Sequence, residues 1–344
     1  MSNVESIKVS VIMPVYNSEQ YVRHAAESVL CQDFDSFELL LMDDGSTDGS
    51  GLICDELAKE HDNVRVFHTE NGGMCHARNL GMEHARGEYL AFCDNDDEYL
   101  AGLLSQNYAI AIRDNADCVR FGRNLEVIVD EGEQSFSSYG GPSKFANFKG
   151  EDIFAHYDLV REGTGAVWVG LYRRSLIREH NILFDESLRR GFEDLIFNYD
   201  VFDVAKSISI NPRPYYVWRR RVSHSSSFVV DDNYYYGLEK MLLKEDALMR
   251  KRGVNERLPE FYANHLVAYL QLCIGASYYG KRPSYSELCS AFDRLHPFAL
   301  AYCVELNRSL LTPANRLFLD LLLSKRYRLL STCVRVAGRM KQAR

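Results

Sequence analysis

No two of the nine cysteines in this 344-residue chain are spaced as Cys-x-x-Cys, and no spacing among them suits a zinc site. They fall mostly in apolar helix or strand patterns, which reads as small core residues in a reducing compartment and not as a disulfide framework. No apolar run approaches the roughly 18 residues needed to span a bilayer, and no secretory signal precedes the first strand. The expectation is a cytoplasmic protein. Positive net charge is missing too: the formal charge is −8, which argues against a nucleic-acid partner, whose binder needs a basic footprint.

What is present is a large core. Hydrophobic residues make up 46% of the chain, enough for a folded protein with one large domain and an appendage. The first part alternates strand and helix patterns up to about residue 228; from 229 to 344 only helical spacing remains. Charge is uneven as well. From Arg316 onward the basic residues Arg316, Lys325, Arg326, Arg328, Arg335, Arg339, Lys341 and Arg344 face the single acid Asp320, which suits either an anionic membrane surface or a plain solvated helix.

Ile7 to Val15 reads as a buried strand, with Ser18 as N-cap of the helix that follows. Phe37–Met42 and Val64–His68 read as further strands, a helix runs from after Gly73 to about His84, and Glu88–Cys93 is the fourth strand. Strands separated by helices imply βαβ units and a mostly parallel sheet. In such sheets ligands sit beyond the carboxyl ends of the strands. The polar loops fall there: Pro14–Asn17, Asp43–Asp48, Asn71–Gly73 and Asp94–Asp97.

Each loop has its chemistry. Tyr16 offers a ring on which a base can stack, or is a half-buried loop aromatic. Asp44 is a fixed acceptor suited to an imide N–H, or a turn residue; Asp43 and Ser46 suit the turn itself and a helix cap. Gly72 and Gly73 permit close backbone approach to an anion, or simply a turn. Arg78 either reaches a phosphate or pairs with a nearby acid. Three carboxylates in Asp94-Asn95-Asp96-Asp97 would repel one another unless a cation, water or donors offset the charge. Asp96 is the best metal-ligand candidate, since a hard cation bridging diphosphate oxygens takes one or two protein carboxylates. Asp94 then faces the ribose or a metal-bound water, and Asp97 caps the next helix.

Further along, Glu193-Asp194 opens an apparent helix, where acids favour the dipole, so capping and catalysis compete as readings. Arg219, Arg220 and Arg221 suit a lid over a diphosphate or a charged strand end. Leu125 to Lys149 reads as a flexible excursion near an acceptor. Helical spacing covers Tyr234–Arg252, Leu258–Tyr279, Ser284–Glu305 and Thr312–Met340.

The ordered set VSVIMPVYNSEQYV, LLLMDDGSTDGS, ENGGMCHARNLGMEHARGEYLAF and CDNDDEYL, with WVGLYRRSLIREHNILFDESLRRGFEDLIF and PYYVWRRRVSHSSS after it, resembles family 2 glycosyltransferases of the GT-A fold over roughly residues 7–228. The resemblance implies an α/β catalytic domain at 1–228, with 229–344 a helical C-terminal appendage. It implies inverting transfer of a sugar from a nucleoside diphosphate, usually UDP, to an acceptor hydroxyl. Nucleotide-sugar contacts then fall on Pro14, Tyr16, Asn17, Asp44, Arg78, Asp94 and Asn95, with Mg²⁺ or Mn²⁺ on Asp96 and the general base on Asp194. Analogy extends the acceptor to a lipid-linked bacterial polysaccharide intermediate, met by peripheral contact at the inner face of the membrane. His224 matches a segment that folds over the donor in relatives and is either a second metal-ligand candidate or a solvated loop histidine. The sequence departs from the family at Val169-Gly170, where an Asn-Lys pair is usual; Trp168 is then a sugar platform or a core residue. The competing classes are a nucleotidyltransferase of similar fold and a non-catalytic glycan- or nucleotide-binding module.

Overall fold

The computed structural model describes residues 6–130, 133–162, 165–189, 191–221, 231–277 and 284–342, without the side chains of 129, 130, 133–137, 275–277 and 337–342. The chain divides into two compact units, Met1–Ser225 and Ser226–Arg344.

In the first unit, β1 (Val9–Val15) and α1 (Val22–Leu30) are followed by β2 (Phe37–Asp43), and both strands are buried at every position. Strands covered by helices on both faces need no polar face, which is why their sequences run apolar without alternation. After α2 (Ser50–Glu60) come β3 (Val64–His68), α3 (Met74–His84) and β4 (Tyr89–Phe92). These strands lie in the order β3-β2-β1-β4, all parallel. Their carboxyl ends therefore share one edge, and the loops at 14–17, 43–48, 71–73 and 94–97 meet there. Ser18 is not the side-chain cap expected of it. Its carbonyl accepts from the N–H groups of Tyr21 and Val22 while its own N–H is tied to Ser50 Oγ at 2.8 Å, so the residue is drawn toward the next loop.

Beyond β4 the sheet is mixed, which corrects the mostly parallel expectation. β5 (Glu98–Tyr99) and α4 (Leu103–Asp114) precede β6 (Cys118–Asp130), which pairs antiparallel with β7 (Glu133–Gly140); β8 (Ala146–Lys149) follows. The segment read as a flexible excursion is thus mostly strand. Its backbone is held by ladder hydrogen bonds while few of its described side chains are buried, so the sequence had little reason to alternate. After the single turns α5 (Asp152–Ala155) and α6 (Tyr157–Val160) and a 3₁₀ turn at Val167–Val169, β9 (Gly170–Arg173) inserts antiparallel between β4 and β6. Finally α7 (Arg174–Glu179) and α8 (Glu193–Val204) lead to β10 (Ser207–Arg221), parallel to β6.

The second unit is helical: α9 (Asp232–Lys251), α10 (Val254–Arg257), α11 (Pro259–Ser277), α12 (Tyr285–Phe298), α13 (Pro313–Leu323) and α14 (Tyr327–Gln342). Asp231 caps α9 through the Tyr234 N–H, and Ser284 with Glu287 forms a capping box on α12. The single helix expected over Thr312–Met340 is broken. Lys325 adopts φ 55°, and the N–H groups of Ser324, Lys325 and Arg326 turn back onto Asp320, Leu322 and Leu321. Near Pro297 the α12 helix passes into a wider π-type turn at Ala299–Cys303, as a residue without an N–H favours. Among the described residues no helix is long and apolar enough to cross a membrane.

Candidate active site

The four loops at the sheet edge are stitched together by their own polar side chains. Asn17, at φ 45°, donates its N–H to Ser46 Oγ and accepts from the Thr47 N–H at 2.8 Å. Asparagine tolerates this left-handed backbone, so one residue turns the chain and ties the first loop to the second. Asn95 Nδ2 donates to the Pro14 carbonyl at 2.8 Å, joining the fourth loop to the first strand. Tyr16 projects from this frame, 49% exposed. Its ring is free to take a planar ligand on one face.

Asp44 is a fixed acceptor, and loop contacts already use it. It is buried, and its two oxygens accept from the N–H groups of Gly72 and Gly73 at 2.7 and 2.8 Å. The carboxylate fixes the third loop against the second; what remains for a base N–H is the second lone pair of each oxygen. Asp43 holds the turn as expected, accepting from the Ser46 N–H at 3.1 Å, and its other oxygen lies 2.7 Å from His68 Nδ1. That bond to Asp43 holds His68 above its ordinary pKa, although burial opposes it.

Arg78, on α3, is in the ion pair and not at an open phosphate position. Its side chain is 1% exposed; Nη1 donates to Asp194 Oδ1 at 2.7 Å, Nη2 to Asp94 Oδ1 at 2.9 Å, and Glu193 lies 4.0 Å away. Burial disfavours the guanidinium charge, but Asp194, Asp94 and Glu193 more than offset it and raise the pKa. Phe184 packs beneath the guanidinium, 5.3 Å from ring centre to Cζ.

Asp194 comes to this point from the start of α8. The turn before it is strained: Phe192 has φ 70°, a conformation that costs a bulky residue of order 1 kcal/mol or more and that recurs where a side chain must be aimed. Asp194 Oδ2 accepts from the Val167 N–H at 3.1 Å, so both carboxylate oxygens are held. Burial raises its pKa, Arg78 opposes the shift, and Asp94 adds to it. In Glu193 burial and the charge of Asp194 push the carboxyl up to about 7, and its Oε2 is sealed from solvent without a partner.

The acidic loop separates into three environments. Asp94 belongs to Arg78. Asp97, 1% exposed, accepts from Tyr216 Oη at 2.8 Å and from the Arg219 N–H at 2.8 Å. It does not cap the next helix, whose N-cap is Gly102; it pins β10 to the loop. Burial, then Asp96 and Asp94, hold its pKa well above the usual carboxylate range. Asp96 remains the accessible one, 40% exposed, with Oδ2 paired to Arg221 at 2.8 Å. The surrounding protein and the Asp94 charge nevertheless push it up to about 6, against the pull of Arg221.

That imbalance is the test of the expected metal. An exposed carboxylate whose ionisation is resisted by its neighbours gains from a cation, and a hard cation on a diphosphate needs only one or two such ligands. The residues fit Mg²⁺ or Mn²⁺ at Asp96, although among the described residues no group of three or more His, Cys, Asp or Glu side chains is disposed to hold a metal. His224 lies outside the described residues. Of the three arginines read as a lid or a charged strand end, Arg219 pairs with Glu98 and Glu126, and Arg221 with Asp96. Trp168 is core, 6% exposed and stacked on Tyr216 at 4.3 Å. Gly170 explains part of the departure at Val169-Gly170: a Cβ there would lie 2.3 Å from Tyr172 Oη, leaving no room for a side chain.

Sequence reasoning missed Tyr216 and Val167. The first donates to Asp97 while accepting the Asp94 N–H at 3.1 Å; the second holds Asp194 by its backbone. No pattern marks one of two adjacent strand tyrosines, or a backbone donor, as part of a site.

Residues 10–179 match the model of the family described as Glycosyl transferase family 2. Among curated relatives, the uncharacterized glycosyltransferase EpsJ of Bacillus subtilis is 31% identical over 61% of this chain and 60% of its own length. The putative glycosyltransferase EpsH of the same organism is 32% identical over 64% and 63%. The chain thus spans less than two thirds of the length of either relative. Among solved structures, S. aureus TarS 1-349 in complex with UDP-GlcNAc shares the fold, with a TM-score of 0.70 over 97% of this chain and 92% of that one at 22% identity.

Proposed function

Residues 10–179 belong to glycosyl transferase family 2, and on that premise we propose that the chain moves a sugar from a nucleoside diphosphate, UDP foremost, to a hydroxyl of a glycan acceptor with inversion at the anomeric carbon. The observation that carries this reading is the joining of Asp94 and Asp194 through Arg78, which brings the acidic loop and a candidate base to opposite sides of one guanidinium. The UDP-GlcNAc complex of the TarS structure supports a UDP-sugar donor.

Asp194 takes the proton of the acceptor hydroxyl as its oxygen forms the new bond to the anomeric carbon, and the bond from that carbon to the diphosphate oxygen breaks with its electron pair leaving on UDP. A carboxylate with a raised pKa is a better base than an ordinary one at neutral pH, and Arg78 and the Val167 N–H keep it oriented. Tyr16 stacks on the base, Asp44 accepts from its imide, and Asp94 with Asn95 and the Pro14–Asn17 turn border the ribose. Asp96 would hold Mg²⁺ or Mn²⁺, whose charge offsets that of the departing diphosphate.

The acceptor in this reading is a lipid-linked bacterial polysaccharide intermediate, met at the inner face of the membrane. On α14, exposed Leu329 and Val336 beside Arg328 and Arg335 support peripheral contact with an anionic surface. The test is a panel of UDP-sugars with Mn²⁺ or Mg²⁺, scoring UDP release with and without acceptor. Turnover that survives both Asp194→Asn and Asp96→Ala would overturn the mechanism, and failure of every nucleotide sugar to bind would overturn the function.

A further inference from the structure

Consecutive arginines at the end of β10 point to opposite faces of the sheet, as strand geometry requires. Arg219 and Arg221 meet the acids Glu98, Glu126 and Asp96. The other face carries Tyr216, Trp218 and Arg220, and in register beside Tyr216 stands Arg123 of β6. There the cations meet aromatic rings. The Arg123 guanidinium lies 4.9 Å from the Trp218 ring centre and 5.9 Å from that of Trp168, and Arg220 lies 5.3 Å from Trp218.

Arg123 has no hydrogen-bond or ion-pair partner among the described residues, and its Nε is sealed from solvent. Guanidinium groups carry five donors, and leaving them unanswered beside a second arginine is costly. The site is nevertheless built to hold it. Gly140, paired with Arg123 across β6 and β7, leaves the space: a Cβ there would lie 3.0 to 3.1 Å from Cζ and both terminal nitrogens. Burial and the nearby Arg220 also depress the Arg123 pKa, and the charge of Asp97 offsets them only in part.

The position of this pair follows from the register. Cys118 aligns with Leu90 through Tyr172, and Val119 with Ala91 through Leu171, which sets Arg123 level with the acidic loop after β4. It lies on the far side of β4 from the strands whose loops carry Tyr16 and Asp44. Trp168, which forms its wall, directly follows Val167, the residue whose N–H holds Asp194.

We propose that Arg123, with Arg220, forms an anion subsite for a phosphate or carboxylate group carried by the acceptor, walled by Trp168 and Trp218. The word acceptor rests on the glycosyltransferase reading; the anion site does not. A planar guanidinium on an aromatic wall suits a bidentate oxyanion attached to a sugar.

Trp168 and Trp218 are the only two tryptophans in the chain, so fluorescence excited on the red edge, where the 21 tyrosines do not absorb, reports on the walls of this subsite. Glycerol 3-phosphate, glucuronate and neutral glycerol are titrated separately into the full chain, with UDP as a parallel titration. The expected result is a saturable fluorescence change with glycerol 3-phosphate or glucuronate, whichever charge the site takes, and none with glycerol. Arg123→Gln should weaken that response roughly tenfold or more, as loss of a charge-assisted hydrogen bond does, while UDP affinity stays unchanged. Arg220→Gln serves as the second variant should Arg123→Gln fail to fold. No response to either anion, or an unaltered response in the folded variants, overturns the subsite; loss of UDP binding in the native chain instead counts against the glycosyltransferase reading.

Discussion

Asp94 and Asp194 accept hydrogen bonds from the two arms of one guanidinium, Arg78 Nη2 reaching the first at 2.9 Å and Nη1 the second at 2.7 Å. A single buried charge therefore sets the distance between the acidic loop and the candidate base. It also makes α3 a part of the site, although no residue of that helix need touch the reacting atoms.

Arg78→Met should destabilise the first unit by about 3–5 kcal/mol, because it leaves buried carboxylates without their counter-charge. Chemical denaturation measures this. The double variant with Asp194→Asn should lose less than the sum of the singles, since one unpaired charge is then gone. Arg78→Lys should not rescue, as an ammonium cannot reach two carboxylates in the fork geometry.

Asp194→Asn should lower kcat by roughly 10²–10⁴-fold, the range for losing a general base. UDP affinity, measured by calorimetry, should hold. A parallel loss of UDP affinity would show that Asp194 serves the donor site and not the proton transfer.

Tyr16→Ala should weaken UDP binding by roughly two- to tenfold, the worth of one aromatic stack. Its side chain is 49% exposed, so stability should change little. Equal UDP affinity in the variant would remove the base from that ring.

Glu193 provides a pH test. Its carboxyl is raised from 4.5 to about 7, so between those values the folded chain binds the proton more tightly than the unfolded one. Stability from this group is full at acid pH and declines as pH rises through the window. Glu193→Gln should remove the decline, so that variant stability relative to the parent rises by about 1–3 kcal/mol from pH 4.5 to pH 8. Parallel stability curves for the two proteins would contradict the assignment.

Gly170→Ala should cost about 1–3 kcal/mol by overpacking against Tyr172 Oη, which Arg120 Nη1 and Asn198 Oδ1 hold at 2.8 Å each. A lowered melting temperature without loss of secondary structure is the expected reading. An unchanged midpoint would mean the Tyr172 network yields freely.

The parallel half of the sheet was legible because its strands are buried on both faces and its loops are short and polar. β1 to β4 fall within a residue or two of their expected bounds, and the four loops share an edge once the strands are parallel. The antiparallel half was not legible. β7 and β8 are held by backbone ladders, and β9 is too short to carry a period. Lys325 breaks the last expected helix through a backbone angle that no side-chain pattern announces.

By itself the sequence determined which residue types stand at the carboxyl edge of a βαβ sheet, since those follow from local period and turn chemistry. It determined Tyr16 and the Asp94–Asp97 cluster as candidates in this way, whereas Asp194 as a base followed from the family resemblance, its local pattern suiting a helix cap equally well. Only the tertiary structure decided how the charges are shared. Arg78 faces two aspartates and not a phosphate, Asp44 spends an oxygen on each of two backbone N–H groups, and Asp97 is sealed beneath Tyr216. The physical reason is that partnership between charges depends on distance and burial across strands far apart in sequence, and those are set by packing.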